Sequence, residues 1–183
     1  KLDGSCVAVA RIGADVLPLG RAGYPARTSP YEQHRLFDAW AMANAARFRA
    51  LLDDGERVVG EWLAQVHGTR YALPHEPFVA FDLMVEHRRR LADIARVRLA
   101  DLGFVTPRIL SAGPPLSIGD MLAALEPSGH GALDPVEGAV WRVERLGEVI
   151  FLAKFLSVNK VDGCYLPEIS GCEAVWNWRP CEC

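Results

Sequence analysis

The sequence predicts an α+β domain built on mainly antiparallel sheets. Segments with strand periodicity and segments with helical periodicity follow one another without the regular β-α-β alternation of a parallel sheet. The 183 residues, 50% hydrophobic and 23% charged, suffice for one domain with a buried core. A leucine-glycine pair at 146–147 separates two apolar runs and indicates a hairpin, which is an antiparallel connection.

The first half of the chain predicts three strands and a long helix. Residues 5–12 are rich in β-branched and small apolar residues and predict the first strand. Proline and glycine recur over 18–30, which predicts a loop. Apolar residues at helical spacing predict one helix over 31–52. Two short apolar runs, 57–66 and 77–85, predict buried strands.

The second half predicts two helices and three strands. Helical spacing of apolar residues predicts a helix over 86–102, and the apolar stretch 104–110 predicts a strand after it. A serine followed three residues later by an acid opens a short helix over 117–125. The runs 136–143 and 148–156 predict the two strands of the hairpin.

Composition and charge exclude several classes of protein. No run of 18 apolar residues occurs, so the sequence predicts no membrane span. A formal net charge of −3 argues against a protein held on nucleic acid by bulk charge, although a local basic site for a nucleotide or polyanion is allowed.

The cysteines predict reduced thiols and a cytoplasmic protein. There are five, an odd number, and no secretory signal pattern precedes them. The last four, Cys164, Cys172, Cys181 and Cys183, lack the C-x2-C spacing of a zinc site, so zinc is not expected.

Lysine is rare in this chain. Only Lys1, Lys154 and Lys160 occur among 20 basic residues, and the rest are arginines. A lysine amine can lose its proton and act as a nucleophile, which a guanidinium cannot. Codon bias is the alternative explanation, so the positions of the three lysines decide whether they have a chemical role.

Five short segments combine charged residues and glycines with apolar strand residues. They are Lys1-Leu2-Asp3-Gly4-Ser5, Gly60-Glu61-Trp62, Phe81-Asp82-Leu83, Glu137-Gly138-Ala139-Val140 and Phe151-Leu152-Ala153-Lys154-Phe155. In this order they resemble the motifs of the covalent nucleotidyltransferases, which include DNA and RNA ligases and mRNA capping enzymes. The form of the Glu61 segment and a Gly-Arg-Ala-Gly-Tyr loop at 20–24 resemble the ATP-dependent RNA ligase branch.

The resemblance implies a fold and a reaction. The fold is a nucleotidyltransferase adenylation domain, with two mainly antiparallel sheets, flanking helices and a nucleotide groove between them, here spanning residues 1–183. The family places further chain ahead of the nucleophilic lysine, so a preceding segment is expected. The reaction joins an RNA 5′-phosphate to a 3′-hydroxyl with ATP as substrate, through a lysine–AMP intermediate.

The resemblance assigns the nucleophile to Lys1. Asp3 and Gly4 would lie against the nucleotide, since glycine lets the turn pass close to it. A K-x-D-G tetrapeptide alone is more often a surface turn. A second one begins at Lys160, but only 20 residues follow its glycine, too few for the remaining motifs.

Two acids are candidate metal ligands. Glu61 and Glu137 are flanked by apolar strand residues, where a carboxylate is costly unless it binds a cation or a hydroxyl. The resemblance implies that Glu61 contacts the ATP ribose or a metal-bound water and that Glu137 helps to hold Mg²⁺ or Mn²⁺. Solvated acids at strand ends are the alternative.

The remaining candidates contact the base and the phosphates. The resemblance places Phe81 on the adenine, with core packing as the alternative, and Arg21 on the nucleotide or the incoming 5′-phosphate, with a solvated loop arginine as the alternative. Lys154 matches the basic strand that neutralises the α-phosphate. This strand has one lysine where the family has two. The missing cation could come from Arg142, Arg145 or Lys160, or from no residue, and Arg142 and Lys160 are candidate RNA or phosphate contacts.

Three readings of the function follow. The first is an ATP-dependent RNA ligase. A DNA ligase or capping-type enzyme shares the first chemical step, and a non-catalytic nucleotide- or RNA-binding relative would bind ATP without forming a covalent adduct.

Overall fold

The structure is a computed structural model that describes residues 1–126, 128–157, 160–161 and 163–180. Its strands are β1 (Ser5–Ile12), β2 (Asp15–Gly20), β3 (Glu56–Trp62), β4 (Phe78–Val85), β5 (Arg88–Arg89), β6 (Gly138–Arg145) and β7 (Glu148–Leu156). Its helices are α1 (Glu32–Ala43), α2 (Ala45–Leu51), α3 (Ala92–Asp101), α4 (Ile118–Ala124) and α5 (Pro167–Ser170), with a 3-10 turn at Ala26–Thr28.

The strands form two antiparallel sheets, which confirms the predicted α+β class. The five-stranded sheet has the order β2-β1-β3-β4-β5, and every neighbouring pair in it is antiparallel. β6 and β7 form a separate two-stranded sheet joined by a turn at Leu146 and Gly147, both with positive φ. The predicted strand over 5–12 and the predicted hairpin are confirmed.

Strand β2 was not predicted, and part of it lies in the region predicted as a loop over 18–30. Pro18 pairs with Val9 of β1, although proline has no N–H for a second neighbour. Because β2 is the edge of the sheet, it needs hydrogen bonds on one side alone, and an edge strand tolerates proline.

The predicted helix over 31–52 is two helices. Asn44 separates α1 from α2, with backbone angles outside the helical region. Its side-chain amide donates to Trp40 O at 2.8 Å, which satisfies a carbonyl at the end of α1. A polar side chain that competes for backbone groups therefore ends the first helix within an otherwise continuous apolar pattern.

The start of the helix predicted over 86–102 differs from the prediction because ion pairs intervene. The segment predicted as the start of a helix at 86 turns at Glu86, which has a φ of 50°, and forms β5 before α3 begins. Arg89 pairs with Asp82 and Arg90 with Glu56, which holds this segment extended.

The apolar runs 63–66 and 104–110 are not strands. Leu63 N–H donates to Pro77 O at 2.8 Å and Val66 N–H to Val175 O at 2.9 Å, so the chain leaves the sheet after Trp62 while staying buried. Val105 forms a single parallel bridge to Val79. An apolar run indicates that a segment is buried, and here the segments are buried without forming the hydrogen bonds of a β-sheet.

Helices α1 and α2 pack on one face of the five-stranded sheet. Phe37 of α1 lies with its ring centroid 5.3 Å from that of Trp62, and Phe48 of α2 lies 6.0 Å from Phe78. These four side chains are fully buried and form the centre of the core with valines of β1 and β3. The helices α1 and α2 do not cover the opposite face of the sheet, and the candidate site lies on that face.

No helix among the described residues is long and apolar enough to cross a membrane.

Candidate active site

The side chains of Lys1 and Glu137 meet beside the start of β6. Lys1 Nζ donates to Glu137 Oε2, and the Glu137 side chain is 8% exposed. The backbone nitrogen of Lys1 donates to Gly138 O at 2.6 Å. Two residues that are 136 positions apart in the chain, and that the resemblance predicts in one site, are therefore in direct contact.

Gly4 and Glu61 form the second contact of the site. Gly4 N–H donates to Glu61 Oε1 at 3.1 Å. A Cβ at Gly4 would lie 2.4 Å from Trp62 O, so the close passage of this turn along β3 requires glycine. The predicted proximity of the first two motifs is therefore present, and the residue type at position 4 has a steric reason.

The pKa of Glu61 is raised to about 7. Burial is the main cause, and the negative charges of Asp3 and Glu137 raise the pKa further. Lys1 and the Gly4 N–H oppose this shift but do not cancel it. Glu61 thus lies in a place where a carboxylate lacks enough positive charge nearby, which favours binding of a cation.

Asp3 lies in a buried polar network. Its Oδ2 accepts from Gly68 N–H at 2.9 Å and lies 3.2 Å from Lys160 Nζ. Its own N–H donates to Tyr71 Oη at 3.1 Å, and burial raises the pKa of this tyrosine. Asp3 thus contacts protein groups in the structure, and its contact with the nucleotide stays a prediction.

Ser5 also contacts protein groups. Its Oγ lies 2.8 Å from His34 Nε2, and His34 Nδ1 lies 2.8 Å from Ser29 Oγ. Burial and the nearby His67 lower the pKa of His34. This chain of hydrogen bonds fastens the residue that follows the Lys1 motif to helix α1.

A cleft of about 410 Å³ lies on the open face of the five-stranded sheet. Its lining comes from β1, β3, β4 and the end and following loop of β2: Cys6, Val7, Ala8, Leu19, Gly20, Arg21, Ala22, Gly23, Arg57, Val59 and Met84. The walls are apolar apart from two arginines, which suits a ligand with a flat apolar part and anionic groups.

The cleft and the Lys1 site are neighbours. Cys6 lines the cleft and pairs in register with Glu61. Burial and Glu61 raise the pKa of the Cys6 thiol, while Arg21 and Lys154 are near enough to lower it. Arg21, Glu61 and Lys154, three predicted site residues from distant parts of the sequence, therefore lie within electrostatic range of one position of β1.

Phe81 is not among the residues that line the cleft. It lies at a β-bulge, where Val59 pairs with Asp82 and Gly60 with Ala80, so Phe81 has no partner in the register. The apolar lining near this strand comes from Val59 and Met84 instead. The contact of Phe81 with adenine stays a prediction.

Asp82 belongs to one of the five segments identified in the sequence, but the sequence reasoning gave it no role. Its carboxylate is 3% exposed and pairs with Arg89 Nε at 2.8 Å and with Arg142 Nη1. The signal was an acid inside the apolar strand β4, where burial requires a cationic partner. Asp82 connects the five-stranded sheet with β6.

Arg142, proposed above as a phosphate contact, is used within the protein. Its guanidinium contacts Asp82, Glu144 and the carbonyl of Arg90. A phosphate contact would require one of these to be given up. In contrast, none of the acidic side chains in the described part of the chain forms an ion pair with Lys154, which leaves its ammonium available.

The four cysteines considered for a zinc site and the second K-x-D-G segment lie partly outside the described residues, since Asp162, Cys181 and Cys183 are not among them. Lys160 itself is described, and its contacts with Asp3 were given above.

The model of the RNA ligase family matches residues 1–156. The chain belongs to the RNA ligase family. Members of this family are ligases, so the chain is assigned to a family of enzymes. Among curated proteins, none matches the chain.

One solved structure that is similar to the chain is also described as an RNA ligase. It is an archaeal ATP-dependent RNA ligase, form 2, with a TM-score of 0.49 and 19% sequence identity. The match covers 74% of this chain and 38% of that ligase. The chain therefore spans just over a third of the length of that ligase.

Proposed function

We propose that this protein is an ATP-dependent RNA ligase, with residues 1–183 as its adenylation domain. The observation that carries the proposal is the contact of Lys1 with Glu137 beside the Gly4–Glu61 hydrogen bond, at a cleft lined by Arg21. Membership of the RNA ligase family supports it.

In the first step, Lys1 Nζ attacks the α-phosphorus of ATP. A P–N bond forms, the bond from the α-phosphorus to the bridging oxygen breaks, and pyrophosphate leaves with the electron pair. The ammonium must lose its proton before the attack, and the carboxylate that holds it, Glu137, is the nearest acceptor. The result is AMP linked to Lys1.

Arg21 and Lys154 are the cations we assign to the phosphates. Both act electrostatically on Cys6 in the cleft, and Lys154 has a free ammonium among the described residues. Positive charge placed where negative charge develops on the α-phosphate and the leaving pyrophosphate lowers the barrier. A single lysine on β7 then serves where the family has two.

Glu61 and Glu137 fit a magnesium or manganese ion. Both side chains offer carboxylate oxygens as metal ligands. The two lie close enough together for the charge of Glu137 to act on Glu61. Within the described ranges no three His, Cys, Asp or Glu side chains form a metal cluster, so the ion would take further oxygens from the ATP phosphates and water. When bound, the ion supplies neutralisation of phosphate charge.

The second and third steps transfer AMP to RNA and seal the strand. The terminal 5′-phosphate of the RNA attacks the phosphorus of Lys1–AMP, which frees the lysine and gives a 5′–5′ pyrophosphate linkage. The 3′-hydroxyl then attacks the RNA phosphorus, a phosphodiester forms, and AMP leaves. Arg21 suits the incoming 5′-phosphate because its guanidinium is a two-pronged donor.

A joining assay tests this function. RNA strands with a 5′-phosphate and a 3′-hydroxyl are incubated with the protein, ATP and Mg²⁺ or Mn²⁺, and the sealed product is measured. Lys1→Arg is the matched control, since it keeps the charge but removes the nucleophile. We expect sealing with ATP and RNA, and none with Lys1→Arg.

The same assay separates the alternatives. Sealing of nicked DNA in preference to RNA would identify a DNA ligase, and covalent labelling by GTP in preference to ATP would identify a capping-type enzyme. Binding of ATP without sealing or covalent labelling would identify a non-catalytic relative and overturn the proposal.

A further inference from the structure

Lys160 lies where three segments of the chain converge near the nucleophile. Its Nζ is 3.2 Å from Asp3 Oδ2, donates to Thr69 Oγ1, and is 3.4 Å from Pro135 O. The side chain is 11% exposed. A nearly buried ammonium with three oxygen partners is part of the protein interior, and it is held in one place.

Two of these partners flank the reacting pair. Asp3 lies two residues after Lys1, and Pro135 lies two residues before Glu137, the carboxylate that binds the Lys1 amine. The backbone of Lys160 repeats this connection, since its N–H donates to Ser157 O and Ser157 N–H donates to Glu137 O at 2.9 Å. Lys160 therefore ties the chain on both sides of the Lys1–Glu137 contact.

Lys160 compensates the negative charge of Asp3. Its side chain is 5% exposed, and its other donors are the neutral Gly68 N–H and Thr69 hydroxyl, at 2.9 and 3.4 Å. A buried carboxylate that loses its cationic partner is strongly destabilised. Without Lys160, the segment between Lys1 and β1 would carry an uncompensated charge two residues from the nucleophile.

Gly68 packs closely against Asp3 and Lys160. A Cβ at Gly68 would lie 2.7 Å from Asp3 Oδ2 and 3.1 Å from Lys160 Cε, so a side chain there would displace the pair. An ammonium is a compact point charge, whereas a guanidinium is wider and needs a planar, forked arrangement of acceptors.

We infer that Lys160 is a positioning residue for the adenylylation step, which holds Lys1 and Glu137 in their reactive arrangement through Asp3 and Pro135. The inference rests on the proposed function. Lys160 touches no reacting atom, and it acts through the two segments that carry the nucleophile and its carboxylate partner.

Single-turnover adenylylation of the full protein tests this inference. Lys160→Met, Asp3→Asn and the double variant are compared for the rate constant of Lys–AMP formation and for the apparent affinity for ATP. Thr69→Val is a milder variant that removes one contact of Lys160 in case Lys160→Met does not fold. Arg96→Ala, which removes an exposed cation on α3, is the control and is expected to leave the rate nearly unchanged.

We expect Lys160→Met to lower the rate constant by up to about 100-fold while the ATP affinity changes little, because the nucleophile is displaced and the cleft is intact. The double variant should react faster than Lys160→Met alone, since it also removes the uncompensated charge. A merely structural role would change the melting temperature and both kinetic constants together, without this recovery.

Two results would overturn the inference, and they are distinguishable. A normal rate in Lys160→Met, or no recovery in the double variant, would overturn it while leaving the proposed function intact. Failure of the unsubstituted protein to form any lysine–AMP adduct would overturn the proposed function and the inference with it.

Discussion

The two ends of strand β3 each carry a glutamate, buried at Glu56 and half-buried at Glu61, and their surroundings are opposite. Glu56 at the start of the strand accepts hydrogen bonds from Arg90, Arg98 and the N–H of Asp53. Glu61, near the other end, accepts one from the N–H of Gly4. Burial alone raises a carboxyl pKa, but these partners hold the pKa of Glu56 at about 2, whereas that of Glu61 is about 7.

The difference separates an acid that stabilises the fold from one that is prepared for a ligand. Glu56 is 1% exposed and fully compensated, so nothing remains for it to bind. Glu61 lies next to the cleft with too little positive charge around it. The number and charge of the partners therefore indicate the role of a buried acid better than its burial does.

The largest expected effect is on Glu61. Glu61→Gln should lower the rate of lysine–AMP formation on the order of 100- to 1000-fold, because the charge that we propose to face ATP and its ion is lost. The free energy of unfolding should stay equal or rise, since glutamine keeps the acceptor for Gly4 N–H without the cost of burying a charge. Denaturant unfolding and single-turnover labelling measure both. A strongly destabilised variant would contradict the comparison.

Glu56→Gln is the matched variant at the other end of the same strand. It should lower the free energy of unfolding by about 3 kcal/mol, because Arg90 and Arg98 lose a buried partner. The folded fraction should form the adduct at close to the normal rate. Loss of labelling in protein shown to be folded by circular dichroism would mean that the two ends of β3 are not separate in function.

The stability of the protein at low pH should depend on Glu56. Its folded pKa of about 2 is below its ordinary value of 4.5, so the stabilisation is complete above pH 4.5 and is lost as the pH falls towards 2. The loss amounts to about 3 kcal/mol over this range. Unfolding curves from pH 6 to pH 2.5 should show it, and Glu56→Gln should flatten this acid dependence. An unchanged slope in the variant would contradict the assignment.

The smallest effect distinguishes the two arginines. Arg98 is 27% exposed and also donates to Leu51 O, whereas Arg90 is 44% exposed. Arg98→Ala should therefore lower the free energy of unfolding by about 2 kcal/mol, and Arg90→Ala by about 1 kcal/mol or less. Equal losses in denaturant unfolding would show that exposure does not decide their contributions.

The sequence could predict the elements that local patterns determine. Strand β1, the β6–β7 hairpin and the short helix α4 have their own periodicity, turn or cap, and all three are confirmed. The resemblance also assigned Lys1, Gly4, Glu61 and Glu137 to one site, but it did not predict the hydrogen bonds of Lys1 with Glu137 and of Gly4 with Glu61.

The features that the sequence could not predict depend on residues far away in the chain. Glu56 and Glu61 are alike in sequence, and the arginines that compensate Glu56 come 34 and 42 residues later. The position of Phe81 at a bulge depends on the pairing of β3 with β4. Pattern alone could identify charged and aromatic candidates in strands, but not which of them were compensated or turned to the cleft.

The central claim is that Lys1 becomes linked to AMP, and peptide mapping of the protein after incubation with ATP and Mg²⁺ tests it most directly. We expect an increase of one AMP in the intact mass, located on Lys1 and absent from Lys1→Arg, and stable in alkali but labile in acid because the linkage is a P–N bond. An adduct on Lys160 or another residue, or no adduct at all, would contradict the account.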